Sequence, residues 1–450
     1  MGRLTVGQIT LTLTVMAVVG IYSLLALTLT VALTGCEPDF DRSGTRSFTE
    51  ASVTEASLES PTPFASPAVW DATPSFSSPT LTVNPSFVPP TACPTWLPPT
   101  ATRPPAADVT LYRGPYLQSV TTDSVIVVWE TDRTASGEVV YGETAAYGRR
   151  VTAPAVRSRH AVTLTGLAPY TNYHYRIESQ GRLPDGSTDA WFRTAALPDA
   201  SSSVSLTFVV FGDTRTQHER HRAVVERIAA YAPDFVLHTG DLVADGTDER
   251  QWDLFFAIER DLLAHAPFFP VLGNHERNAV LYFDNFYLPA NERWYTFVNG
   301  PVRFIALQVD GYASFALGSE QYTWLEQTLQ ANTYPWLCVY FHIPPYTSVE
   351  EELEHQVRQT LTPLFEQYGV DLVFSGHKHS YERNEVQGIT YIVTAGGGAP
   401  LYPMAEREPG QVVFASAYHF VVVTINGDYL IGEAISVTGE LLDRFERWAD

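Results

Sequence analysis

The sequence predicts an α/β domain preceded by a small all-β sandwich, and three observations carry that expectation. Between residues 109 and 194, short stretches of alternating apolar and polar residues are separated by turn-rich segments. From Leu206 onward, apolar runs of strand length alternate with stretches of helical spacing. Ahead of both lies a long segment of Ser, Thr, Pro and Ala that offers no core. At 450 residues and 45% hydrophobic content, the chain is long enough for two or three domains with a sizeable core.

Residues 1–35 begin with Met1-Gly2-Arg3 and continue as an uncharged apolar run from Leu4 to Leu33. That length could span a membrane. It ends in Leu33-Thr34-Gly35-Cys36, which resembles the bacterial lipobox. The resemblance implies a lipoprotein signal peptide that is removed, and a lipid anchor on Cys36. An uncleaved N-terminal anchor is the alternative, and both place the protein outside the cytoplasm, at the bacterial cell membrane. The three cysteines, Cys36, Cys93 and Cys338, form no disulfide framework. Residues 36–107 then read as a linker, because steps such as Ser60-Pro61, Pro89-Pro90 and Pro104-Pro105 favour extended, solvated backbone.

In the region 108–197 the strand patterns are Ser124–Trp129, Ala161–Leu164 and Tyr173–Ile177. The segment from Leu167 to Tyr175 resembles the tyrosine corner of fibronectin type III-like domains. His160 and His174 read as strand residues. In the region 203–438, apolar runs at Leu206–Phe211, Asp234–Leu237, Phe268–Leu272, Phe304–Val309, Trp336–Phe341 and Val370–Phe374 alternate with helical spacing. The helical stretches are Glu219–Tyr231, Glu249–Leu263, Ser319–Leu329 and Glu351–Tyr368. Further strands near Thr390–Val393, Val412–Phe414 and His419–Ile425 make the sheet system mixed.

The formal charge of −22 argues against a nucleic-acid scaffold as partner, since phosphate backbones need a basic surface. It leaves room for a local positive site built from metal ions and arginines. Lys378 is the only lysine in the chain.

Five polar clusters fall at the carboxyl ends of the apolar strands, where α/β folds place their ligands. They are Gly212-Asp213-Thr214-Arg215, Gly240-Asp241-Leu242, Gly273-Asn274-His275-Glu276, Phe341-His342-Ile343-Pro344 and Ser375-Gly376-His377-Lys378-His379. Each pairs a small residue or strand end with a carboxylate, amide or imidazole. Glycine there lets the backbone turn sharply and approach an ion closely. Oxygen donors mixed with imidazoles suit Zn, Fe, Mn or Ni. A lone Gly-Asp is usually a turn, but five such clusters in one order point to a metal site.

In that order and chemistry the sequence resembles the calcineurin-like metallophosphoesterase superfamily, and within it the purple acid phosphatase-like branch. The resemblance runs from about Val109 to Val437. It is closest at Gly376-His377-Lys378-His379-Ser380-Tyr381-Glu382-Arg383 and at Gly273-Asn274-His275-Glu276. It implies a sandwich of two mixed β-sheets flanked by helices, and two divalent or trivalent metal ions, with Fe, Zn or Mn favoured. Asp213 and His379 would bind the first ion; Asn274, His342 and His377 the second; Asp241 would bridge both. His275 would face the leaving group as general acid. Glu276, Tyr381 and Arg383 are candidates for supporting the ligands, with simple structural pairing as the equal alternative.

The implied activity is hydrolysis of a small phosphate monoester or diester by in-line attack of a metal-bridging hydroxide. A phosphodiesterase specific for cyclic nucleotides or other diesters is the alternative within enzymes. A non-catalytic surface-binding lipoprotein is the alternative of another class.

Two positions depart from the branch. Ala244 stands where a tyrosinate ligand is usual, and Arg215 stands where the wider superfamily places a histidine. An arginine cannot ligate. Arg215 is expected to clamp the substrate phosphate, with an ion pair to a nearby carboxylate as the alternative. His218 and His221 are expected on a solvated helix face. His238 is expected behind the ligands or in the core, and Asp310 at a turn or lining the pocket.

Overall fold

The computed structural model describes residues 106–198, 204–349, 351–407 and 409–449. The signal segment, Cys36, Cys93 and nearly all of the expected linker lie outside them. Among the described residues no helix is long and apolar enough to cross a membrane.

The N-terminal part comprises β1 Ala106–Gln118, β2 Ser124–Ala135, β3 Glu138–Gly142, β4 Arg149–Thr152, β5 Arg157–Thr165, β6 Asn172–Glu178, β7 Leu183–Asp185 and β8 Ala190–Arg193. These form two four-stranded sheets, ordered β5-β2-β1-β7 and β4-β3-β6-β8. Period-two alternation sets the inner face of β6, where Tyr173, Tyr175 and Ile177 are buried while His174 and Arg176 are only partly so. The Ala168 backbone N–H donates to the Tyr173 hydroxyl at 2.9 Å and closes the corner. His160 stacks on Trp129 with ring centroids 4.8 Å apart, so it is a packing residue.

The second part runs β9 Ser205–Phe211, α1 His218–Ala229, β10 Phe235–His238, α2 Glu249–Leu263, β11 Phe268–Pro270, α3 Val280–Asn285, β12 Tyr295–Asn299, β13 Val302–Ala306, α4 Glu320–Gln330, β14 Trp336–Tyr340, α5 Glu352–Gln367 and β15 Leu372–Ser375. It ends with β16 Tyr381–Val386, β17 Ile389–Thr394, β18 Gln411–Ala415, β19 His419–Asn426, β20 Tyr429–Ser436 and β21 Leu441–Trp448. One sheet has the order β11-β10-β9-β19-β20-β21 and the other β12-β13-β14-β15-β17-β16-β18. Both are mixed: β9, β10 and β11 run parallel, as do β13, β14, β15 and β17, with antiparallel strands outside them. The first sheet continues through β21 to Trp448, past residue 438 where the sequence placed the domain's end.

Aromatic side chains fill the space between the sheets. Phe269 stacks on Phe297 at 3.9 Å, and Phe208 and Phe235 each meet Phe304 edge-on at 5.2 Å. Burying each such ring contributes roughly 2–3 kcal/mol. Helix α2 forms because Trp252, Phe255, Phe256, Glu259, Leu262 and Leu263 recur on one face, and because Asp248 caps its start by accepting from the Arg250 N–H. Helices α4 and α5 cover the outer face of the second sheet through Leu325, Leu329, Val357, Leu361 and Phe365.

The sandwich packs onto the second part, both within one compact unit. Arg113 of β1 is buried and donates to Asn285 at 2.6 Å; it also pairs with Glu249 and Asp253 of α2 and lies over the Phe256 ring. The Tyr175 hydroxyl donates to the Ala264 carbonyl at 2.8 Å, and Gln118 Nε2 to the Phe268 carbonyl at 2.9 Å.

Candidate metal centre

The two sheets contribute different donors to one crevice. Asp213, Asp241 and Asn274 follow β9, β10 and β11 of the first sheet, whereas His342, His377 and His379 follow β14 and β15 of the second. Oxygen donors thus come from one sheet and imidazoles from the other. Asp213, Asp241 and His377 have φ of 58°, 56° and 69°, a left-handed backbone that costs energy in most side chains and clusters at functional sites. Glycine is required beside them. A Cβ on Gly273 would lie 2.3 Å from both the amide nitrogen and Oδ1 of Asp241, so only a hydrogen fits there.

At the second position three acceptor atoms converge. His342 Nε2 lies 3.0 Å from Asn274 Oδ1, His377 Nδ1 lies 3.1 Å from the same oxygen, and the two ring nitrogens are 3.3 Å apart. Asp241 Oδ1 is 3.4 Å from His342 Nε2. A backbone carbonyl fixes the tautomer of His342. His342 Nδ1 donates to the Thr239 carbonyl at 2.8 Å, which leaves the lone pair on Nε2 facing inward. His377 turns its Nε2 towards Glu354 Oε1 at 3.6 Å and its Nδ1 inward. Burial, aided by the neighbouring His342 imidazole, holds His377 far below the usual imidazole range and so neutral. Lone pairs facing one another repel unless a cation sits among them, so this donor set fits a metal ion.

The first position is built differently. Asp213, Asp241 and His379 bring donor atoms within 4.8 Å of one another. His379 Nδ1 donates to the Pro400 carbonyl at 2.7 Å, and its Nε2 lies 3.4 Å from Asp213 Oδ1. Arg215 enters here, with Nε 3.1 Å from Asp241 Oδ2 and Nη2 3.2 Å from His379 Nε2. The ion pair with Asp241 is the alternative that the sequence offered beside a phosphate clamp. Burial alone would raise the Asp241 carboxyl, but His342, His275 and Arg215 outweigh it and hold the group ionised.

Matches to known families agree with this geometry. Residues 206–381 match the model of the calcineurin-like phosphoesterase, and residues 114–194 match that of the purple acid phosphatase N-terminal domain. These matches identify a calcineurin-like phosphoesterase domain preceded by a purple acid phosphatase N-terminal domain. Among its relatives, probable purple acid phosphatase 20 of Arabidopsis thaliana is 28% identical over 60% of this chain and 68% of its own length. Acid phosphatase type 7 of Mus musculus is 31% identical over 50% of this chain and 56% of its own. A purple acid phosphatase from yellow lupin (Lupinus luteus) seeds shares the fold, with TM-score 0.64 at 21% identity, over 77% of this chain and 75% of that one.

Other residues of the superfamily motifs divide between the crevice and the scaffold. His275 stands at the rim, with its side chain 28% exposed and Nε2 3.9 Å from Asp241 Oδ2. Its Nδ1 donates to the Ala244 carbonyl at 2.8 Å, so Nε2 is the atom that can carry a proton outward. Glu276 is buried and accepts from the backbone N–H groups of Gly273, Asp241 and Val243 at 2.7, 2.9 and 3.2 Å. Burial and then the Asp241 charge push Glu276 up to about 8. Tyr381 and Arg383 instead engage Asp443 on β21, away from the crevice. Ala244 offers no side-chain ligand; its N–H donates to Gln251.

His221 corrects an expectation. It is buried, with Nε2 2.7 Å from Glu259 Oε1, rather than on a solvated face. His238 is buried behind Asp241 and contacts Thr214 Oγ1 at 3.3 Å. Asp310 accepts from the Tyr312 N–H and from Gln308, a turn arrangement. Two carboxylates went unnoticed in the sequence. Glu382 accepts from Ser348, Ser380, Thr347 and Gln411 and ties the loop after His342 to the loop after His379. Glu354 of α5 is buried beside His377, and Lys378 Nζ lies 2.9 Å from its Oε1 in a charge contact.

Proposed function

We propose that the chain is a metal-dependent hydrolase of small phosphate esters. The observation that carries this is the convergence of Asn274 Oδ1, His342 Nε2 and His377 Nδ1 within 3.3 Å, with Asp241 alongside and His275 at the rim. Metal ions held by Asp241, Asn274, His342 and His377, and by Asp213 and His379, would polarise phosphoryl oxygens and make water acidic enough to attack near pH 7. With Nδ1–H donated to the Ala244 carbonyl, the doubly protonated ring of His275 would present Nε2–H to the departing oxygen and give up that proton. Glu276 fixes the backbone under Asp241 and Asn274, so the donors are positioned before substrate arrives. Export and lipid attachment at Cys36 belong to the same proposal and rest on the Leu33-Thr34-Gly35-Cys36 motif; blocking Cys36 with serine would then release the protein from membranes.

The test uses purified protein stripped of metal and resupplied with Mn, Zn or Fe, assayed on an aryl phosphate monoester and a diester. Metal-dependent turnover of at least one substrate is expected. Absence of turnover on both, with metal bound, would overturn the proposal.

A further inference from the structure

We infer that the guanidinium of Arg215 stands in the first cation position, so that the chain holds one metal ion, among Asp241, Asn274, His342 and His377. This rests on the proposed function and narrows its centre.

The decisive atom is His379 Nε2. A carbonyl oxygen can only accept, so the 2.7 Å contact to Pro400 requires the proton of His379 on Nδ1. Nε2 then has a single lone pair. Arginine can only donate, so its Nη2, 3.2 Å away, takes that lone pair. A metal ion at the first position would need the same lone pair, at about 2.1 Å. The two claims exclude each other. Asp241 repeats the pattern: its Oδ2 accepts from Arg215 Nε at 3.1 Å, while its Oδ1 faces the second position. A bridging carboxylate thus joins a metal position to a guanidinium.

Two further observations agree. Ala244 supplies no side-chain donor that could compensate an incoming ion for the crowded set. Arg215 is itself mostly enclosed, with 15% of its side chain exposed, and brings a guanidinium charge to that position. Its planar fork carries donors beyond the two engaged, so it can meet a phosphoryl oxygen on the side where related centres place an ion. One positive charge of the pair is therefore encoded in the chain and the other is recruited.

The experiment is metal content of the full chain after removal of metal and equilibration with excess Mn²⁺, read by elemental analysis and by electron paramagnetic resonance. The expected result is one Mn²⁺ per chain with the spectrum of an isolated ion. Arg215→His, which restores an imidazole there, is expected to take two ions with an exchange-coupled spectrum. Arg215→Lys keeps the charge and is expected to stay at one. Two ions in the unaltered chain would overturn this inference and leave the proposed function standing. None would overturn both. One ion in both the unaltered chain and Arg215→His would overturn the role given to the arginine.

Discussion

The two ends of the centre use similar donors and reach different states. At one end, the Thr239 carbonyl turns the proton of His342 outward, His377 directs Nε2 towards Glu354, and Nε2 of His342, Nδ1 of His377 and Oδ1 of Asn274 are left facing each other. At the other, His379 is oriented in the same way by Pro400, but its lone pair meets Arg215. Convergence of donors does not by itself define a metal position. What separates the two ends is whether the lone pairs are already committed to a donor within the chain.

The comparison breaks most completely if the uncommitted end is emptied. Asn274→Ala or His342→Ala should remove the ion and cost several kcal/mol of transition-state stabilisation, about 10³-fold in kcat/KM. Retention of metal and rate in either variant would show that the donors face the wrong way. Asn274→Asp sharpens the point, because a carboxylate can present only oxygen. It should keep the ion; loss as complete as in Asn274→Ala would mean that an oxygen donor at position 274 is not what holds it.

His275→Ala should lower kcat by roughly 10²-fold or more while metal content is unchanged. The deficit should shrink for an aryl ester whose leaving group needs no proton. An equal deficit for good and poor leaving groups would rule out the acid role. Glu354→Gln acts only on the second end, through His377 and Lys378. It should weaken metal binding by about 10–100-fold, measured by chelator competition.

The smallest effect lies outside the centre. Burial lowers His419 to about 4 from its ordinary 6.5. In the unfolded chain the ring takes up its proton near pH 6.5, and in the folded chain only near pH 4. Its contribution to stability is therefore complete above pH 6.5 and is lost as pH falls towards 4, by an amount on the order of 3 kcal/mol. Denaturant midpoints measured across that window should fall with pH, and less so in His419→Gln.

Much of the centre was legible because four of its six donors, Asp213, Asp241, Asn274 and His377, directly follow a glycine at the end of an apolar strand, a pattern that survives in one dimension. Helix α2 was legible to the residue, since its aromatic face repeats regularly from Trp252 to Leu263. The supporting contacts were not. The carbonyls of Thr239 and Pro400 orient His342 and His379, and a backbone carbonyl carries no sequence signal. The His221–Glu259 pair joins α1 to α2, so neither residue alone announced a buried role. Helix α3 spans six residues, too short for a period to show. Strand β16 was hidden because Tyr381-Glu382-Arg383 reads as a site motif, yet only Glu382 holds active loops together.

Arg113 carries a consequence for how the molecule can be divided. It enters from the sandwich and satisfies Glu249, Asp253 and Asn285, while its plane covers Phe256. A truncation that began at β9 would leave two helix carboxylates without their counter-ion and an aromatic face of α2 open to water. The crevice residues are therefore not a portable cassette: the β-sandwich is a splint for helix α2, holding its charged and aromatic face through Arg113.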